Sequence, residues 1–311
     1  MRFYLIPLAA AAIPLVANPY TQFMVNLMLV YILVAVGFNL VLGNLGQLAF
    51  ANTALFGIGA YTAAMLMAHA GWPFWLVILP AGLAGAAAGF LASVTALRGI
   101  RVYYLAIVTL AFGELLRWSY IHGERVTGGT DGLAVPRADF FGIALDSETA
   151  RFYVFLLIVT VLVKAVSNLL RSRIGRAIVA IRDNELATAS LAIPTGRYIV
   201  LAFALSGFVV GIAGSLFAVL IGRVIPESFG LIELILHFAM VLVGGLGSLF
   251  GSVLGAVALT ALPEFFRRFP GMYEMFFGGL LIVFLLAQPR GLAALAARWW
   301  PQLRDRYYRD R

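Results

Sequence analysis

Residues 171–193 read RSRIGRAIVAIRDNELATASLAI and form a polar segment between two long apolar segments. The segment carries net positive charge, because Arg171, Arg173, Arg176 and Arg182 stand against only Asp183 and Glu185. Membrane proteins keep an excess of arginine and lysine in their cytoplasmic loops. We therefore place residues 171–197, hereafter the arginine-rich segment, on the cytoplasmic side, and the segment orients the apolar stretches on either side of it.

The arginine-rich segment has a helical pattern. Ile174, Ile178 and Ile181 recur at i, i+4 and i+7, which predicts one apolar face of a short amphipathic helix. Asp183 is expected to cap a second helix, with Glu185 in its first turn, where a carboxylate suits the exposed amides. The second helix should end near residue 193, because a proline follows. Two short helices then project into the cytoplasm.

The composition defines the class of protein. The 311 residues are 62% hydrophobic and 12% charged, with a mean hydropathy of +0.97, far above a soluble domain. Since a spanning helix needs about 20 apolar residues, we predict one all-α, polytopic permease domain over residues 1–311, with about ten transmembrane helices and glycine-rich broken or re-entrant segments. No separate soluble domain fits beside them.

Several chemistries are excluded by residue usage. The 22 Lys and Arg against 14 Asp and Glu cluster at the ends of apolar segments, so we expect membrane lipid and not nucleic acid as their partner. There is no cysteine, and the only lysine, Lys164, follows Val163, so the chain lacks a phosphate-binding P-loop. His69, His122 and His237 lack zinc-site spacing, so we predict no metal, no cofactor and no enzyme. If ATP drives this protein, another chain binds it.

Ten apolar segments predict ten spans and place both termini inside. Residues 1–17 also resemble a cleavable signal peptide, which remains an alternative to a first span. A mildly acidic outer loop is expected at residues 122–151, and Arg267 and Arg268 fall outside. The remaining predicted spans are residues 23–42, a helix beginning after Asn52, and residues 74–97, 103–120, 152–170, 198–221, 231–244, 249–266 and 273–287.

A glycine-rich break interrupts the second and third spans at residues 43–61, GNLGQLAFANTALFGIGAY. Non-helical backbone is tolerated at membrane depth only where it is buried in protein or lines a wet cavity. The sequence GNLGQL, residues 43–48, is echoed by GGLGSL, residues 244–249. A structural repeat and a chance match both remain open. Transporters place substrate at paired, interrupted helices, so both breaks are candidate walls of a pathway.

Polar residues within the apolar segments are the candidates for a translocation pathway. Helix-to-helix hydrogen bonding is the alternative for the four amides, and structural ion pairing or packing is the alternative for the charged pairs Glu114 with Arg117 and Glu233 with His237. The candidates are Asn39, Asn44, Gln47, Asn52, Glu114, Glu233 and His237.

Five blocks resemble one known family. They are NLVLGNLGQLAFANTALFGIGAYTAA (39–64), YYLAIVTLAFGELLRW (103–118), TGGTDGL (127–133), SRIGRAIVAIRDNELATASLAI (172–193) and VGGLGSLFGSVLGA (243–256). In this order they resemble the LivM-type permease subunits of branched-chain amino acid ABC importers. The resemblance covers most of the chain outside its first 20 residues and its tail.

The resemblance implies an importer of the bacterial inner membrane. Its partners would be two cytoplasmic ATPase subunits, a second related permease in a heterodimer, and a periplasmic or lipid-anchored substrate-binding protein. The arginine-rich segment then looks like the loop that engages the ATPases. Glu185 and Ala187 fit the family pattern, whereas Leu186 replaces an alanine and Ala192 stands where a glycine would be. The implied coupling residues are Arg173, Gly175, Arg176, Ile178, Ile181, Asp183, Glu185, Ala187 and Ala192.

The turn Thr127, Gly128, Gly129 and Asp131 is a candidate contact for the binding protein, and a rigid turn joining two spans is its alternative. Two other functions stay open at this point. One is the same architecture importing urea, short amides or another small solute. The other is a proton-coupled secondary transporter that uses Glu114 or Glu233.

Overall fold

The computed structural model describes residues 17–98, 102–266 and 291–299, with isolated positions at 11 and 14 and between 278 and 288. Apolar helices make up most of it, and five are long and apolar enough to cross a membrane. Two shorter apolar helices follow at Leu231–Gly244 and Leu249–Glu264. The polytopic, all-α class is therefore confirmed.

The helices follow the predicted apolar segments closely. The predicted spans between residues 23 and 266 each correspond to a helix, whereas the predicted spans at 1–17 and 273–287 lie largely outside the described residues. The helices are α1 (Pro19–Asn39), continued by a π-helical turn (Leu40–Leu45), α2 (Asn52–Ala70), α3 (Phe74–Ser93), continued by a 3-10 turn (Val94–Arg98), α4 (Val102–His122), α5 (Glu124–Thr127), α6 (Glu148–Arg171), α7 (Arg173–Asp183), α8 (Glu185–Ser190), α9 (Thr195–Ile221), α10 (Leu231–Gly244), α11 (Leu249–Phe266) and α12 (Gly291–Trp299).

Helix α9 forms the centre of the bundle, with α1, α2 and α3 packed around it. A Cβ on Gly59 would lie 2.0 Å from the carbonyl oxygen of Gly211, and a Cβ on Gly85 would lie 2.2 Å from that of Gly207. The backbones therefore touch at both crossings. Small residues spaced four apart, as Gly207 and Gly211 are, permit this close helix packing in membranes.

The two ends of the bundle differ in structure. One end, hereafter the basic end, carries α7 and α8, and there Gly196 packs against Ala96 and Leu97 at the end of α3. The opposite loop end carries two small antiparallel sheets. In one, β1 (Leu133–Ala134) pairs with β4 (Arg223–Val224), and in the other, β2 (Asp139–Phe140) pairs with β3 (Ile143–Ala144).

The outer loop is shorter than predicted. Helix α6 begins at Glu148, because Ser147 caps it by accepting a hydrogen bond from the Ala150 amide at 3.2 Å. The Glu148 carboxylate pairs with Arg151 at 2.6 Å and also accepts a hydrogen bond from Asn26 at 2.8 Å. These contacts draw the acidic end of the predicted loop into the helix.

Candidate functional site

The arginine-rich segment folds into the two predicted short helices, α7 and α8. The prediction that Asp183 caps the second helix is wrong, because Asp183 is the last residue of α7. Asn184 supplies the cap from an extended backbone, and its Oδ1 accepts a hydrogen bond from the Ala187 amide at 3.0 Å. At the start of α7, a Cβ on Gly175 would lie 2.4 Å from the Leu170 carbonyl oxygen. The turn between α6 and α7 therefore requires glycine at 175.

The apolar face of α7 packs on the permease itself. Ile178 and Ile181 are buried, and α7 contacts α6, α9 and the π-helical turn. The expectation that these two isoleucines contact an ATPase is corrected, because the nearest apolar surface is their own bundle. Arg173 and Arg176 remain exposed on the other face of α7.

Helix α8 presents the exposed apolar surface of this end. Leu186 is 84% exposed and Leu191 is 75% exposed, beside the partly buried Glu185 and the exposed Ala187. We call residues 185–192 the α8 knob. Neither leucine is among the coupling residues predicted from the sequence. The available signal was their position in a short polar segment, where a large apolar side chain is unusual.

Ala192 takes the backbone conformation that the family pattern reserves for glycine. Its φ angle is 59°, in the left-handed region, which costs a non-glycine residue about 1–2 kcal/mol. The α8 knob therefore keeps its turn although the glycine is missing.

The two glycine-rich breaks meet in space at the basic end. The Asn39 amide nitrogen donates to the carbonyl oxygen of Ser248 at 2.9 Å and to Ser252 Oγ at 2.8 Å, and Asn39 Oδ1 accepts from the Gly247 amide at 2.9 Å. A Cβ on Gly43 would lie 2.3 Å from the Gly247 nitrogen. The echoed sequences are thus neighbours, and the end of α1 is joined to the start of α11.

Arg182, near the end of α7, lies against both breaks. A Cβ on Gly46 would be 2.9 Å from its Cγ, and a Cβ on Gly247 would meet its guanidinium. Both glycines have positive φ angles, 76° and 82°. The Arg182 side chain of α7 therefore packs against the residues that follow α1 and α10.

Several pathway candidates are occupied in packing between helices. Asn39 holds the contact just described, Asn44 donates to the Asn39 carbonyl oxygen at 3.1 Å, and Gln47 is buried. Hydrogen bonding between helices accounts for Asn39 without a role in transport.

Asn52 and His237 form a separate polar pair. Asn52 Nδ2 lies 3.2 Å from His237 Nδ1, and both side chains are buried. The expected pairing of His237 with Glu233 is corrected, since Glu233 instead accepts a hydrogen bond from Tyr31 Oη at 3.5 Å.

Glu114 and Arg117 form the predicted ion pair at 3.4 Å on α4. Their side chains are 46% and 36% exposed. The pair therefore lies on an exposed face of this subunit, and this geometry supports the structural ion pair that was the alternative to a pathway role. A Cβ on Gly230 would be 3.9 Å from Arg117 Nε, which places the pair near the loop end, where charge is less costly than at the bilayer centre.

The predicted outer turn, residues 127–131, is held in place by hydrogen bonds of the Thr127 side chain. Thr127 Oγ1 donates to the carbonyl oxygens of Tyr120 at 2.7 Å and Gly123 at 2.9 Å, and it accepts from the Gly129 amide at 3.3 Å. Thr127 and Gly129 are buried, so the expected contact of these two residues with a binding protein is corrected. Gly128 is partly buried and Asp131 is exposed, which leaves Asp131 as the accessible side chain of the predicted set.

The helical bundle, with its polar projection and interrupted helices, is the architecture of a polytopic membrane permease. The family model described as "Branched-chain amino acid transport system / permease component" matches residues 20–286. The chain belongs to this family of permease subunits.

Three relatives illustrate the similarity. The chain is 34% identical to the high-affinity branched-chain amino acid transport permease LivM of Escherichia coli K12, over 97% of this chain and 76% of that protein. It is 34% identical to LivM of Salmonella typhimurium, over 95% and 74%. It is also 26% identical to the E. coli permease LivH, over 84% and 90%. No solved structure gives a significant match.

Proposed function

We propose that this chain is the permease subunit of an ATP-driven importer that moves branched-chain amino acids into the cell by alternating access. The names of the relatives support the substrate class, since LivM and LivH are both named as branched-chain amino acid permeases. Similarity to both supports a pair of related permeases in the complex. We place the importer in the bacterial inner membrane, where ATPase subunits reach α7 and α8 from the cytoplasm.

The single structural observation that carries the coupling role is the α8 knob. Leu186 and Leu191 are large apolar side chains, 84% and 75% exposed, at the basic end of the bundle. Burial of such side chains in a groove contributes about 1.5–3 kcal/mol each to association. Ile178 and Ile181 act from beneath by fixing α7 to the bundle. ATP hydrolysis belongs to the partner chains, because this chain has no Gly-Lys pair.

The contact with the ATPases is tested by Leu186→Asp. The variant should fold normally, since the side chain is exposed, and should lose co-purification with the ATPase subunits, because a charge then enters an apolar groove. Ser190→Asp is the matched control on the same helix, at another exposed position, and should retain assembly. Equal retention of the ATPases by both variants would contradict the role of the α8 knob.

The transport function is tested in proteoliposomes that contain both permeases and the ATPases. With external binding protein loaded with labelled leucine, uptake should require internal ATP and should persist when a protonophore is added. Uptake that collapses with the proton gradient at constant ATP would instead identify a secondary carrier.

A further inference from the structure

A polar site lies where helix α2 begins inside the bundle. Residues 46–51 are non-helical between the π-helical turn and α2, and the Phe50 amide within them donates to Thr109 Oγ1 at 3.0 Å. Helix α2 then starts at Asn52, after Ala51 in the N-cap position. Alanine has no side-chain acceptor, so the N-cap side chain satisfies none of the first amides of this 19-residue helix.

The His237 side chain lies on this first turn of α2. It is fully buried, its ring packs edge-on against Phe56 with centroids 5.6 Å apart, and its Nδ1 is 3.2 Å from Asn52 Nδ2. Because an amide nitrogen only donates, Nδ1 accepts, and the neutral imidazole carries its proton on Nε2. His237 thus offers a second donor, the Nε2–H group.

Two atoms of this pair have no hydrogen bond to any residue that the structure describes. Within the part of the chain that the structure describes, neither His237 Nε2 nor Asn52 Oδ1 has a hydrogen bond. An unpaired buried donor and an unpaired buried acceptor both cost stability. A ligand that brings an acceptor and a donor to the same place would satisfy both atoms.

The charge preference of the helix end and the neighbouring aromatic rings indicate the chemical class of such a ligand. The amino end of a helix favours an anionic group, so a carboxylate suits the α2 amides and the His237 Nε2–H, and an ammonium suits Asn52 Oδ1. Phe56 also packs on Phe217 at 5.0 Å and on Phe229 at 5.6 Å between ring centroids. An apolar side chain would lie against these rings.

We propose that Asn52, His237 and the amino end of α2 bind the charged groups of a zwitterionic amino acid with an apolar side chain during translocation. This inference rests on the proposed import of amino acids and assigns the place where the substrate is held. Because His237 is fully buried, the site is closed in this conformation, and substrate reaches it when α2 and α10 separate.

The test measures the number of ATP molecules hydrolysed per leucine delivered by the complete reconstituted importer. His237→Leu removes both ring nitrogens and keeps an apolar side chain suited to burial. Loss of a charge-assisted hydrogen bond should raise the ATP-to-leucine ratio about tenfold to a hundredfold. His237→Gln, which retains a side-chain donor, should restore most of the coupling. Asn52→Ala removes the acceptor alone, and it provides a second measure if His237→Leu fails to assemble.

Asn26→Ala is the matched control. Asn26 is also fully buried, and its Oδ1 has no partner among the described residues, but it lies at the loop end beside Glu148. A purely structural loss lowers the amount of assembled complex without changing the ratio, and Asn26→Ala should behave in this way.

The outcomes separate the two proposals. A wild-type complex without ATP-dependent leucine uptake contradicts the proposed function. An active wild type whose ratio is unchanged in His237→Leu and Asn52→Ala, or raised equally in Asn26→Ala, overturns the assignment of this site.

Discussion

Asn39→Ala should separate the two glycine-rich breaks. Asn39 makes three hydrogen bonds to residues 247–252, all between 2.8 and 2.9 Å. Hydrogen bonds between membrane helices contribute about 0.6–1 kcal/mol each, so the variant should lose about 2–3 kcal/mol of unfolding free energy. The Gly247 amide, buried beside Gly43, would also be left without its acceptor.

The loss is best measured by unfolding the purified permease in mixed micelles with increasing denaturing detergent. Asn44→Ala is the matched control, because Asn44 is also buried and makes one local bond, to the Asn39 carbonyl oxygen. It should cost under about 1 kcal/mol. The interaction energy between the Asn39 and Ser252 side chains is measured by a double-mutant cycle of Asn39→Ala with Ser252→Ala. We expect a coupling energy of about 0.6–1 kcal/mol.

Equal losses in the two asparagine variants, or strictly additive effects of Asn39→Ala and Ser252→Ala, would refute this account. The contact would then be a consequence of packing by the surrounding helices and would contribute nothing specific to the junction.

Three further predictions follow from local geometry. Ala192→Gly removes the left-handed backbone strain of about 1–2 kcal/mol and adds an entropy cost of about 0.5–1 kcal/mol. Because the strain is the larger of the two, amide hydrogen exchange across residues 185–191 should slow. Faster exchange would show that Ala192 is not strained. Gly85→Ala places a Cβ 2.2 Å from the Gly207 carbonyl oxygen and should lower the free energy of detergent unfolding by about 1–3 kcal/mol. In the control Gly113→Ala the nearest atom to the new Cβ is 3.5 Å away, so this variant should be neutral or stabilising. Equal effects of the two variants would argue against a tight helix crossing at Gly85. Thr127→Val removes the hydroxyl that donates to the Tyr120 carbonyl oxygen, whereas the Gly123 carbonyl oxygen keeps the amides of residues 126 and 127 as donors. The variant should lower the thermal unfolding midpoint, with a loss of about 1–3 kcal/mol; an unchanged midpoint would show that the turn is held by its neighbours.

The helices were predictable because their signals are local. Apolar length defines a span, and the helix at Leu231–Gly244 begins and ends where the sequence predicts. The boundaries that moved depend on capping. Asp183 and Asn184 are adjacent polar residues, and the choice between them follows from the extended φ of −165° at Asn184, which the sequence pattern does not specify.

The site was only partly predictable, because an apolar helix face can be buried either against its own subunit or against a partner subunit. Ile178 and Ile181 have the pattern of a docking face, but the fold brings the bundle to them. Leu186 and Leu191 break the polar pattern of α8, and they become informative only once the structure leaves them uncovered.

Arg182 links the α8 knob to the contact between the two glycine-rich breaks. Arg182 lies in α7, which is fixed to the bundle by its isoleucines and joined to the exposed α8 knob by Asn184. The same Arg182 packs on Gly46 and Gly247, where no side chain can intervene. Gly46 begins the non-helical segment 46–51 that leads into α2, so Arg182 packs on the chain directly before the start of α2. The contacts thus run from the exposed α8 knob through α7 and Arg182 to Gly46, and the chain continues from there to the first turn of α2, where Asn52 lies 3.2 Å from His237.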